Sequence, residues 1–120
     1  AAVVDSPVQL ALASAAAVAA GARLGICIDV DPGMGRAGVA PAAAPALAAQ
    51  VGALPGLSYY GIQAYCGHHQ HLPGGERRRA AHEGWSLVLG ELVATLRAND
   101  LAPPQITGGG TGTYALDLAA

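Results

Sequence analysis

An alternation of short apolar runs with longer stretches of helical spacing governs what this 120-residue chain can fold into. Val3 and Val4 end a first extended run. Ser6 then stands where an N-cap side chain belongs, Pro7 at the first helical position, and Gly21 where the helix closes. Leu10, Ser14, Ala17 and Val18 fall on one predicted face of that helix. Residues 24–30 form a compact apolar run of strand length. Pro45 opens a second predicted helix that ends near Gly52, and residues 60–65 read as the next strand. Residues 76–99 give the longest helix, with Trp85, Val88, Leu89, Leu92 and Leu96 as its apolar stripe at three-to-four spacing. Ile106 marks one more strand after Pro103 and Pro104.

Strand and helix in regular succession predict parallel βα units, about four of them. The strands lack clean polar alternation, as expected when both faces of a sheet are covered. An open doubly wound sheet and half of an eight-stranded barrel both fit this count. The chain starts on a strand and stops just after a glycine-rich turn, which leads us to expect an internal fragment of something longer.

Composition narrows the function classes. Much of the apolar content is alanine, there is no phenylalanine and there is one tryptophan, so a core built here alone would be marginal. A formal charge of −2 gives no electrostatic reason to expect nucleic acid or an anionic membrane as partner. The one basic cluster, Arg77, Arg78 and Arg79, opens a predicted helix and is expected to be a solvated face. Cys27 and Cys66 lack the spacing of a zinc site or disulfide scaffold, and reduced thiols in a cytoplasmic protein are expected. Asp5 and Pro7 interrupt the apolar start, which therefore reads as neither signal peptide nor membrane span. The chain contains no lysine: its six basic side chains are all arginine.

Three segments do not look like ordinary connections. Asp29-Val30-Asp31-Pro32-Gly33-Met34-Gly35-Arg36-Ala37-Gly38-Val39 closes and follows the second predicted strand. Gly61-Ile62-Gln63-Ala64-Tyr65-Cys66-Gly67-His68-His69-Gln70-His71 covers the end of the third. Thr107-Gly108-Gly109-Gly110-Thr111-Gly112-Thr113-Tyr114 follows the fourth. In a parallel α/β fold all three lie at the carboxyl ends of strands, where barrels and open sheets build their sites. Gly110, Thr111, Gly112 and Thr113 could cradle one phosphate through backbone amides and hydroxyls, or form only a flexible turn. No Gly-Lys-Ser/Thr follows, and the three-glycine spacing of a dinucleotide fingerprint ends on Thr113, so neither nucleotide motif applies. Arg36, between glycines, could donate to a phenolate, carboxylate or phosphate, or pair with Asp29 or Asp31. His68, His69 and His71 suggest metal, but adjacent histidines rarely ligate one ion and no carboxylate follows before Glu76. No metal site is expected in this chain.

Together these segments resemble the fold-type III pyridoxal-phosphate enzymes, whose amino-terminal domain is an alanine-racemase-like (β/α)8 TIM barrel. Within that group they are most similar to D-threonine aldolases and the related aldolases of D-3-hydroxyaspartate. The arginine loop, the Gln63-Ala64-Tyr65 strand with its histidine loop, and the Thr-Gly-Gly-Gly-Thr-Gly-Thr-Tyr turn carry the likeness, in order and in register. The resemblance implies a partial barrel, with residues 1–120 an internal fragment of the pyridoxal-phosphate-binding domain and with the inner sheet face away from the helices, expected to include Ile26 and Ile62, left partly bare. It implies that Arg36 contacts the cofactor's ring oxygen, that Tyr65 lies against the pyridine ring, and that Gly110, Thr111, Gly112 and Thr113 bind the phosphate. The implied reaction cleaves a D-3-hydroxy amino acid to glycine and an aldehyde. A D-serine dehydratase-like lyase and a non-catalytic pyridoxal-phosphate-binding protein are the alternatives. The group's Schiff-base lysine lies on a strand ahead of this segment, and its divalent metal (of manganese, magnesium or zinc type) is held in a separate carboxyl-terminal domain. We therefore expect no catalytic residue in this chain, inactivity of the chain alone, and a metal and homo-oligomeric assembly only in a full-length protein.

Overall fold

The computed structural model describes residues 1–119. Four parallel strands, β1 (Ala2–Val4), β2 (Leu24–Asp29), β3 (Leu57–Ala64) and β4 (Ile106–Gly108), lie side by side in the order β1-β2-β3-β4. The helices α1 (Pro7–Ala19), α2 (Ala44–Ala53) and α3 (Gly75–Ala98) form the three crossovers, and a short α4 (Tyr114–Asp117) follows β4. When sequential parallel strands are also spatial neighbours, right-handed crossovers put every helix on the same side. Accordingly α2 lies between α1 and α3, touches both, and packs on β2 and β3. This is the winding of a barrel segment and not of a doubly wound sheet, which needs helices on both faces.

Local chemistry explains most boundaries. The Ser6 hydroxyl accepts the Gln9 amide at 3.3 Å, and the Gln9 side chain reaches back to the Asp5 amide at 2.6 Å, a variant of the reciprocal capping box. Gly21 follows α1 with a φ of +59°, a conformation few side chains tolerate. Leu10, Ser14 and Ala17 are the buried face of α1, but Val18 is exposed, because one further residue turns it about 100° from Ala17. In α3 the buried line runs through Leu92, Val93 and Leu96, with Trp85 and Leu89 packed beside it. Val88, expected on that line, is exposed, and Val93 takes its place. The third strand begins at Leu57, three residues before its predicted start.

The core lies between sheet and helices. Val4, Ile28 and Ile62 are register partners, and with Ile26 they point into the helix layer. Ile26 and Ile62 are wholly buried. The opposite face of the sheet instead carries Val3 and Tyr60, each nearly half exposed, together with Asp29, Gln63 and Thr107 in register. A bulge at Tyr60 shifts the β2–β3 register, so that Ile26 pairs with Tyr59 but Cys27 with Gly61. Gly61 has a φ of +138°, and a Cβ there would run into the Gln105 carbonyl. That close approach lets Ile62 donate to the Gln105 carbonyl and bring β4 alongside. Both cysteines are free and buried, and burial pushes the Cys66 thiol up to about 11. Among the described residues no helix is long and apolar enough to cross a membrane.

Candidate functional site

The loop after β2 is closed by its own first residue. The Asp31 carboxylate accepts the amides of Gly33 (3.0 Å), Met34 (2.7 Å) and Gly35 (3.1 Å). These bonds, that of Gly35 foremost, hold its carboxyl below the usual range of 3.8. At the base, Val30 bridges Val39, with Asp31 donating to the Val39 carbonyl and Val39 to the Asp29 carbonyl. The Gly38 amide donates to Asp5 at 3.1 Å, which ties the loop to the end of β1. Burial, then the neighbouring Asp5, raises the Asp29 carboxyl above its ordinary 3.8. Arg36 is exposed and forms no ion pair: the one acid–base contact at ion-pair distance among the described residues is between His82 and Asp117. Its guanidinium carbon lies 5.8 Å from the centre of the Tyr65 ring, a cation–π contact.

Tyr65 leaves β3 through a tight turn. Cys66 has φ −86° and ψ 69°, and the Gly67 amide donates to the Tyr65 carbonyl at 3.1 Å, the geometry of an inverse γ-turn. A Cβ on Gly67 would lie 3.0 Å from the Tyr65 ring and 3.1 Å from the Met34 thioether, so this glycine lets the first and second loops meet. The 3-10 turn that follows, Gly67–His71, spreads the histidines: His69 is buried, while His68 and His71 are exposed. Burial lowers the His69 pKa below its ordinary 6.5, and its Nδ1 has no partner. Among the described residues no three His, Cys, Asp or Glu side chains are grouped to hold a metal ion.

The glycine-rich turn is shaped by side chains from elsewhere. Gln70 accepts the Gly112 amide at 2.7 Å and donates to the Thr113 hydroxyl at 2.9 Å. Arg78 donates to the Gly112 carbonyl at 3.1 Å and to the Leu72 carbonyl at 2.9 Å. The expectation of a wholly solvated arginine run is therefore corrected. Arg77 and Arg79 are exposed, but Arg78 turns toward the site because α3 starts directly beneath the turn. His82, buried, meets Asp117 at 2.9 Å and Ser86 at 3.3 Å, and Asp117 lies against Gly109. These residues line a cavity of about 310 Å³ beneath Gly108 and Gly109. Of the four residues predicted to bind phosphate, Thr113 is buried, and its amide, like that of Tyr114, donates to the Gly110 carbonyl. The Gly112 amide is taken by Gln70. The Gly110 and Thr111 amides have no protein acceptor among the described residues, and Thr111 is exposed.

All three loops thus lie at the carboxyl ends of β2, β3 and β4. Met34 and Arg36 join the first to the second, and Gln70 joins the second to the third. Residues 1–119 match the model of the alanine racemase N-terminal domain. The chain belongs to that family. Its relatives include the 3-hydroxy-D-aspartate aldolase of Paracoccus denitrificans strain Pd 1222, 41% identical over 92% of this chain and 29% of that protein. The D-threonine aldolase of an Arthrobacter species is 38% identical over 98% of this chain and 31% of its own length. The crystal structure of D-threonine aldolase from Filomicrobium marinum superposes with a TM-score of 0.93 at 34% identity, covering 96% of this chain and 31% of that one. An alanine racemase from Clostridium difficile, at 12% identity and a TM-score of 0.75, shares the fold. This member of the alanine racemase N-terminal domain family spans about three tenths of the length of the aldolases it matches.

Sequence reasoning missed Gln70, Arg78, His82 and Asp117 as parts of this site. Gln70 lies inside the segment that carried the resemblance, yet its partners in the glycine turn are 42 and 43 residues away and leave no local trace. The arginine run looked like a helix face because one of its three members turning inward changes no spacing.

Proposed function

We propose that this chain supplies the phosphate end and one wall of a pyridoxal 5′-phosphate site, as part of an aldolase that cleaves D-3-hydroxy amino acids to glycine and an aldehyde. The observation that supports this reading is the Arg36–Tyr65 contact at the same carboxyl edge of a barrel-type sheet as a glycine turn whose Gly110 and Thr111 amides have no protein acceptor among the described residues. The residues fit the cofactor. The Gly110 and Thr111 amides and the Thr111 hydroxyl donate to the phosphate, and Gly112 and Thr113 shape the turn that presents them. Tyr65 packs against the pyridine ring, and the Arg36 guanidinium donates to the ring oxygen. When bound, the cofactor supplies an electron sink for the carbon–carbon cleavage. The chain's own part is to bind, orient and neutralise charge.

With no lysine, the chain offers no side-chain amine to condense with the aldehyde. Residues 1–120 act in this reading as an internal piece of the cofactor domain, inactive by themselves, and a divalent metal belongs to a full-length protein. The test is addition of pyridoxal phosphate, borohydride reduction and intact-mass analysis, alongside a binding titration. Binding that needs the 5′-phosphate, with reduction confined to the α-amino group, is expected. Stoichiometric labelling at one internal site, or equal binding of pyridoxal and pyridoxal phosphate, would overturn the assignment.

A further inference from the structure

Gln70 has no part in binding so far, yet its carboxamide lies against the glycine turn. A methyl group at Gly110 would sit 2.6 Å from the Gln70 Cδ, and one at Gly112 would sit 3.0 Å from its Oε1. Oε1 takes the Gly112 amide at 2.7 Å. Nε2 gives one proton to the Thr113 hydroxyl at 2.9 Å and the other to the Cys66 carbonyl at 3.3 Å. One primary amide thus uses its acceptor and both of its donors, and it joins the exit of β3 to the exit of β4. Glutamate at this position has acceptors but no donor for Cys66, methionine fills the space with neither, and asparagine is one methylene short.

Two of the turn's donors are thereby removed from anion duty. The Gly112 amide is spent on Gln70, and the Thr113 amide closes the turn on the Gly110 carbonyl at 2.9 Å. The geometry points to Gln70 as a positioning residue for the anion site: it presets the turn so that the Gly110 and Thr111 amides, and not that of Gly112, meet a phosphate. The inference rests on the reading of this turn as the phosphate end of the cofactor site. It also explains two of the glycines independently of any ligand, since a side chain at position 110 or 112 would displace the Gln70 carboxamide.

The ¹⁵N-labelled chain and its Gln70→Met and Gln70→Glu variants are titrated separately with inorganic phosphate, pyridoxal phosphate and pyridoxal, while amide exchange is followed residue by residue. In the parent chain the Gly110 and Thr111 resonances should move with phosphate and the slowly exchanging Gly112 amide should stay. Gln70→Met should lose about tenfold of the Gly112 protection and about tenfold in affinity for the two phosphate-bearing probes, with pyridoxal unaffected. Gln70→Glu should keep the Gly112 protection but bind phosphate more weakly, and recover as the new carboxyl is protonated in acid. If Gln70→Met loses its dispersed spectrum, Gln70→Glu carries the test. A Gly112 resonance that follows phosphate in the parent chain, or an equal loss for pyridoxal and pyridoxal phosphate, would overturn the positioning role. If no turn amide of the parent chain responds to phosphate, the cofactor-site reading fails. The Gly112 exchange of the variants then still decides whether Gln70 holds the turn.

Discussion

The arginine loop and the glycine-rich turn lie at the same edge of the sheet but are held by opposite means. In the first, Asp31 gathers amides two to four residues ahead, and Arg36 is left unpaired and exposed at the tip. In the second, the partners of residues 109–113 are Gln70, Arg78 and Asp117, and two of those three come from the preceding crossover. A loop whose tip is gathered by its own Asp31, with Gly38 to Asp5 as its hydrogen bond to the end of β1, can present a charged side chain without a clamp from another crossover. A turn clamped by another crossover couples its shape to the packing of that element. Loss of the Arg36 side chain at the tip of the first should therefore spare stability, whereas loss of the clamp of the second should reach both stability and binding.

The largest expected effect tests how rigidly the base of the first loop is packed. Gly38 has a φ of +98°, and a Cβ there would lie 2.6 Å from the Asp31 amide nitrogen. Gly38→Ala should cost about 3 kcal/mol in urea unfolding, from backbone strain and collision with backbone atoms. A cost below about 1 kcal/mol would mean that the loop relaxes freely. Next comes a direct contrast of arginines. Arg78→Ala removes two charge-assisted bonds to carbonyls and should destabilise by about 2–3 kcal/mol. Arg36→Ala should change stability by less than about 1 kcal/mol while weakening pyridoxal phosphate binding. Equal stability losses for the two would erase the distinction between loop and turn.

Smaller effects concern protons. The Asp31 carboxyl is held below its ordinary 3.8, so it contributes stability above pH 3.8 that is lost as the pH falls through its folded value. Asp31→Asn should flatten that acid limb of the unfolding profile, and an unchanged limb would show that the amide bonds matter little. His69 has the opposite charge type and a lowered pKa. Its contribution is complete above 6.5 and is lost as the pH falls, because the buried ring resists the proton. The thermal midpoint of the parent chain should therefore drop between about pH 7.5 and about pH 5.5 by more than that of His69→Leu. An equal drop would place the sensitivity at other groups.

The sequence by itself determined the succession of strands and helices, the Ser6 cap, the Asp31 loop and the three segments at the carboxyl edge. Each depends on contacts within a few residues, and hydrophobic period, proline, glycine and short polar side chains report such contacts directly. It did not determine which face of the sheet is covered. Ile26 and Ile62, expected on the bare side, lie on the buried one, because strand periodicity separates two faces without saying which of them the helices take. Nor did it reveal that Arg78 leaves its run to bind the glycine turn, or that Gln70 fills the turn with its amide. Those choices were left to the tertiary structure. They depend on where α3 and the exit of β3 come to rest against a turn some forty residues later, and no local spacing encodes that meeting.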